Sequence, residues 1–132
     1  MRAILCTVVL VLSTTLAGCA GSAVRALSSK PDQLATFDDG TLCQAYSLKK
    51  SDKVRAELQR RDALTADEWQ AVEGGKIFVG MRYPALLCSW GAPDKTNMTT
   101  TEYGKSAQWV YGLFDVRRYV YLERGDVVAF QN

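Results

Sequence analysis

The chain contains no histidine. That absence excludes Ser-His and Cys-His nucleophile pairs and every histidine-ligated metal site. An enzyme built from these residues would have to work with carboxylates, lysine, tyrosine or a lone thiol. Charge excess is also scarce, with 16 Lys and Arg against 14 Asp and Glu and a net charge of +2. Nucleic-acid binding ordinarily wants a clearly basic face, so no nucleic-acid partner is expected. No glycine-rich phosphate loop is present, because Gly74-Gly75-Lys76 lacks the Walker spacing. No internal repeat is visible. What remains is 132 residues, 48% apolar and 23% charged, the balance of one globular domain with appendages.

The N-terminal residues form an address. Met1-Arg2 is a short positive start, and Ala3 to Leu12 is an unbroken apolar run, too short for the roughly 20 residues of a membrane span. Leu16-Ala17-Gly18-Cys19 follows, and this tetrad resembles the bacterial lipobox. The resemblance implies removal of residues 1–18 as a lipoprotein signal peptide. It further implies diacylglycerol on the Cys19 sulfur and an acyl chain on its new amine. Several lipid chains anchor stably where one does not. Ala20 stands where many enteric-type lipoproteins retained at the inner membrane carry aspartate, which by resemblance favours the outer membrane.

Cleavage would also remove Cys6, leaving Cys43 and Cys88 as the cysteines not taken by lipid. In an oxidising compartment they are a disulfide candidate, worth roughly 4 kcal/mol on the chain-entropy estimate. Two buried free thiols are the alternative.

Residues 19–38 are rich in small and polar types and are expected to form a lipidated flexible tether. Residues 39–132 are expected to form a single domain. Leu42, Cys43 and Tyr46 mark a first amphipathic helix, and Val54 and Leu58 a second with Ser51 as its N-cap. Thr65 and Glu68 have the spacing of a capping box, opening a helix that Gly74-Gly75 stops. Tyr83, Leu86, Leu87 and Trp90 have the spacing of one buried helical stripe, ended by Gly91-Ala92-Pro93.

Extended patterns dominate the remainder. Lys95–Thr101 is threonine-rich, Ala107–Tyr111 and Arg118–Glu123 alternate, and Arg124-Gly125-Asp126 turns into Val127–Gln131. The expected class is α+β, with two to four short helices packed on one face of a three-stranded antiparallel sheet at the C-terminal end. Alternation is expected to place Trp109, Tyr111, Tyr119 and Tyr121 on one sheet face and Val110, Val120 and Leu122 on the other. The aromatic four are candidate partner-binding residues, being of the types that dominate binding hot spots.

Ile77 to Asn132 resembles the SmpA/OmlA (BamE-like) family of small outer-membrane lipoproteins. The matching elements are Ile77-Phe78-Val79-Gly80-Met81, Trp90-Gly91-Ala92-Pro93, Gln108-Trp109-Val110-Tyr111-Gly112, Tyr119-Val120-Tyr121 and the Gly125 hairpin. Arg82 and Tyr83 stand where that family usually caps its helix with Ser or Thr. The preceding segment, with Trp69, is closer to an uncharacterised branch. The resemblance implies the fold and a lipid-anchored place on the periplasmic face of the outer membrane.

Other motifs have plainer readings. Asp38-Asp39-Gly40 is a helix start, lacking further oxygen ligands at EF-hand spacing. Asn97-Met98-Thr99 is a glycosylation sequon in form only. Lys49, Lys50, Lys53 and Arg55 form a solvated basic cluster, while Glu57, Asp67, Glu68 and Glu73 look like surface. No metal, cofactor or catalytic residue is assigned. The expected function is a non-catalytic scaffold or binding module in envelope assembly or integrity, attached through Cys19 and with an envelope protein as partner. A protein inhibitor or small-ligand-binding module of the same fold is the alternative.

Overall fold

A computed structural model describes residues 19–112 and 115–132. The signal-peptide segment 1–18 lies outside the described residues. Five α-helices precede four strands among them: α1 (Cys19–Ser28), α2 (Asp39–Leu48), α3 (Asp52–Arg60), α4 (Ala66–Glu73) and α5 (Tyr83–Trp90), then β1 (Lys95–Thr101), β2 (Gly104–Tyr111), β3 (Arg118–Glu123) and β4 (Asp126–Gln131). A single 3-10 stretch, Pro31–Thr36, joins α1 to α2. The class is α+β, as expected, but the two to four helices expected fall short of the five described, because α1 lies in the segment read as a tether.

Local chemistry explains most helix ends. The Asp38 side chain accepts from the Thr41 backbone N–H at 2.8 Å, starting α2. That N–H, with the Thr41 hydroxyl, holds the Asp38 carboxyl below its usual pKa despite partial burial. Thr65 and Glu68 form the expected capping box, with bonds of 2.9 and 3.2 Å. Ser51 occupies the N-cap of α3 but its side chain makes no capping bond. Ile77-Phe78-Val79 stays outside the sheet.

The flexible tether expected over residues 19–38 is replaced by packed structure. Ala23 and Ala26 of α1 are 0% exposed, and Leu34 of the 3-10 stretch is 1% exposed. The physical reason is spacing: two alanines three apart lie on one helical face, and their small side chains let α1 approach α2 closely. Composition shows small residues; it does not show that a neighbouring helix needs them.

The disulfide is formed. Cys43 of α2 and Cys88 of α5 are bonded across 45 positions of sequence, at the centre of a core that includes Leu42, Leu58, Met81 and Leu86. Along α5 the expected stripe is buried at Leu86 and Leu87, half-buried at Trp90, and 43% exposed at Tyr83.

The sheet has four strands in the order β1-β2-β3-β4, all antiparallel neighbours. The expected count of three is too low because every residue of β1 is exposed. A strand without a buried face lacks the apolar alternation that announces one. The β3–β4 turn places Arg124 at φ 53° and Gly125 at φ 86°, the left-handed pair that tight hairpins use.

Register corrects the face assignment. Trp109 lies opposite Val120, Gln108 opposite Tyr121, and Val110 opposite Tyr119. Directly opposed residues share a face, so Trp109, Tyr111, Val120 and Leu122 face the helices. Tyr119, Tyr121 and Val110 lie on the outer face. Each strand alternates as expected, but the offset between two strands decides which halves join, and that offset lies in pairing geometry.

Candidate functional site

Of the aromatic quartet, Trp109 and Tyr111 are on the helix side, and Tyr119 and Tyr121 are outside. Tyr111 is 5% exposed and part of the core. Its hydroxyl donates to the Gly91 carbonyl at 3.1 Å, and its ring meets Trp90 edge-on at 5.4 Å between centroids. Burial raises the Tyr111 pKa well above the tyrosine range. Trp90 in turn donates from its indole N–H to Gly75 at 2.9 Å, and the Arg118 guanidinium sits 4.4 Å above its ring. Outside, the Tyr121 hydroxyl accepts from the Gln108 amide at 3.2 Å.

The helices cover only part of the inner sheet face. Tyr111, Val120, Leu122 and Val127 are buried, while Trp109 and Ala107 are half-buried. Beyond the helix layer lies an apolar groove of about 220 Å³ lined by Tyr83, Met98, Ala107, Trp109 and Leu122, with Lys105 and Arg124 among its rim residues. Met98 opposes Ala107 and is 63% exposed. Met98 and Lys105 were not among the site residues expected from sequence, Met98 having been read only within a sequon. A lone methionine among threonines was the available signal.

The buried carboxylates correct the surface assignment made for Glu57 and Glu68. Glu57 accepts from Arg60 and from Arg61, at 2.8 and 2.6 Å. These two guanidiniums, Arg60 first, hold its carboxyl down at about 2. Arg61 also reaches Asp39 and the carbonyls of Phe37 and Leu34, tying α3 to the preceding segment. Burial alone would raise the Glu68 pKa, but Arg82 and the Thr65 N–H together bring it below its ordinary value. The helical i, i+3 and i, i+4 spacings of Arg60 and Arg61 from Glu57 were legible. The pairing of Glu68 with Arg82 was not.

A second aromatic cluster joins α2, α3 and α4. Tyr46 and Trp69 meet edge-on at 5.8 Å, Arg55 lies 4.9 Å over Trp69, and Lys50 lies 4.6 Å over Tyr46. Arg55 also pairs with Glu73. The Lys50–Tyr46 contact makes part of the basic cluster structural. Desolvation lowers the Lys50 pKa accordingly.

A shallow groove of about 480 Å³ runs between α4 and the segment after it, lined by Asp67, Gln70, Ala71, Gly74, Lys76, Ile77 and Phe78. It brings together one acid and one base and no carboxylate pair. Among the described residues no cluster of three or more His, Cys, Asp or Glu has metal-binding geometry. Every buried side-chain nitrogen and oxygen among them has a partner. No described helix is long and apolar enough to cross a membrane. Cys19 is the first residue of α1, one helical turn before buried Ala23.

Comparison of this chain with protein-family models, with curated proteins and with solved structures finds no match.

Proposed function

We propose that this chain is a non-catalytic lipoprotein, anchored through Cys19 at the periplasmic face of the outer membrane, whose sheet is its contact surface for an envelope protein. The observation that carries the reading is the sheet's overhang. β1 is exposed throughout, and Met98 and Trp109 border a groove that the helices leave open. Open apolar surface beside a polar rim is characteristic of protein contact sites. The Leu16-Ala17-Gly18-Cys19 tetrad and the resemblance to SmpA/OmlA lipoproteins support the anchor and the compartment. A bonded Cys43–Cys88 pair suits an oxidising space. Glu57 is engaged in ion pairs within α3 and its C-cap, and Glu68 in one that joins α4 to the start of α5, which supports a structural role for them over a catalytic one.

Labelled palmitate and membrane fractionation of wild type and Cys19→Ala test the anchor. Loss of label and release from the membrane fraction are expected in the variant. Photo-crosslinkers placed at Met98 and at Gln70 in intact cells test the surface. A protein adduct at Met98 and none at Gln70 is expected; the reverse would move the contact surface to the α4 groove.

A further inference from the structure

We propose that β1 is an acceptor edge, to which an extended segment of a partner protein, opening with acid at its N-terminal end and then alternating apolar residues, adds antiparallel as a fifth strand. This rests on the reading that the sheet is the contact surface, and it names the chemistry of what binds there.

The two edges of the sheet differ. At β4, the Gly80 N–H donates to Val127 at 2.7 Å and the Val127 N–H donates to Met81 at 2.8 Å, so a crossing segment already occupies the start of that edge. A register shift between Tyr121 and Leu122 leaves Val128 out of the ladder and bends the strand away from regular pairing. Natural sheets close their edges with such devices.

β1 has none of them. It pairs residue for residue with β2 from Lys95↔Val110 to Thr101↔Gly104 with no shift. It contains no proline and a single charge, Lys95, at one end. Among the described residues, no backbone group outside the sheet bonds to Lys95–Thr101. Regular strands of β-branched residues with an open edge are templates for strand addition, in which main-chain bonds supply affinity and alternate side chains supply specificity.

The groove supplies that specificity. Thr96, Met98 and Thr100 share the inner face with Ala107 and Trp109. Every second side chain of an added strand would project on the same side, and a large apolar one would reach across Met98 toward Trp109. The charged residues that line this groove are Lys105 and Arg124, both cationic, and neither is within ion-pair distance of an acid among the described residues. Lys105 opposes Thr100, near the C-terminal end of β1. In antiparallel addition the partner's N-terminal end lies beside that position, so acid there completes the charge pairing.

A second copy of this chain fits less well. Antiparallel self-pairing centred on Met98 would set Asp94 of each copy against Glu102 of the other, and like charges directly opposed are destabilising.

The test uses the full chain in detergent solution and the synthetic peptide Asp-Asp-Thr-Val-Thr-Val-Thr-Val, with a version carrying Lys-Lys in place of Asp-Asp. Binding of the acidic peptide should slow amide exchange at alternate β1 positions by about tenfold or more, the mark of new main-chain bonds. Met98→Glu should weaken binding by about tenfold, and its exposed site leaves the fold intact. Lys105→Glu should reverse the preference in favour of the lysine peptide. The proposal is overturned if the peptide fails to bind, or binds without protecting β1, or keeps its preference in Lys105→Glu. It is also overturned if β1 is protected without peptide while sedimentation gives a dimer mass, since the occupant is then a second copy. Peptide failure with persistent crosslinks at Met98 in cells would reject strand addition and leave the sheet as contact surface. Absence of those crosslinks would reject the surface itself.

Discussion

Glu68 holds Arg82 with both carboxylate oxygens while capping its own helix. Oε1 accepts from the Arg82 backbone N–H and from its Nε, each at 3.0 Å. Oε2 accepts from Arg82 Nη2 and from the Thr65 N–H. Arg82 is the residue before α5 and makes no side-chain cap of its own. One buried acid therefore satisfies the N-cap amides of two helices, the part that the glutamate of a capping box plays for its own helix.

Glu68→Ala should cost about 2–3 kcal/mol, combining a lost cap with an ion pair whose arginine keeps part of its head in water. Glu68→Gln should recover part of that loss, because an amide oxygen still accepts from Thr65. Urea denaturation of the two variants and wild type checks the order. Equal midpoints for Ala and wild type would show that the contact contributes nothing.

Acid should unfold the protein through Glu57 and Glu68. Both carboxyls titrate lower in the fold than their ordinary value of 4.5, Glu57 at about 2. A depressed folded pKa means stability that is fully present above the unfolded pKa and lost as pH falls toward the folded one. Urea midpoints should therefore decline between about pH 4.5 and 2. Glu57→Gln should flatten that decline, since the amide has no proton to take up, and an unchanged slope would assign acid sensitivity elsewhere.

Reduction of the Cys43–Cys88 bond should lower stability by about 4 kcal/mol on the chain-entropy estimate for a loop of this length. Alkylation of the denatured, unreduced protein followed by mass spectrometry should leave both cysteines unalkylated, and finding them alkylated would show free thiols. Cys43→Ser/Cys88→Ser should melt far below wild type and no longer respond to reductant.

Tyr111→Ala and Tyr121→Ala should part company. Tyr111 is core, set edge-on against Trp90 and bonded to Gly91, so its loss should cost about 3–5 kcal/mol. Tyr121 is half-buried on the outer face, and its loss should cost about 1 kcal/mol or less. Thermal melting of both variants decides it. Equal losses would mean that the two tyrosines share one face after all.

The contrast between those tyrosines marks what the residues disclose unaided. Capping at Asp38 and Thr65–Glu68, the end of α5 at Gly91 and the Arg124-Gly125 turn are set within four residues of sequence, and all were legible. So was the alternation within β2 and within β3. Relations between distant elements were not: the β2–β3 offset, the reach of Arg82 back to Glu68, and the docking of α1. Each depends on which surfaces meet, and many sequences with the same local pattern satisfy different meetings. The open groove belongs to this second kind. Met98 and Trp109 became neighbours only once β1 was paired with β2.

The docking of α1 yields the last prediction. A tether over residues 19–38 would leave Arg25 as an open trypsin site in the folded protein, while Pro31 protects the bond after Lys30. A packed helix hides its backbone from the protease, which needs an extended stretch, so cleavage at Arg25 must wait for local opening. Ala23 and Ala26 are fully buried, and the Lys53 ammonium donates to the Ser29 carbonyl at the end of α1. Wild type should therefore resist cutting at Arg25 under conditions that digest the unfolded chain within minutes. Ala26→Asp places an unpaired charge against α2 and should detach α1. Cleavage at Arg25 should then be about tenfold faster or more, while the bonded α2–α5 core survives as a protected fragment. Peptide mapping of a digestion time course reads both outcomes. Rapid cutting at Arg25 in wild type would restore the tether and remove α1 from the core.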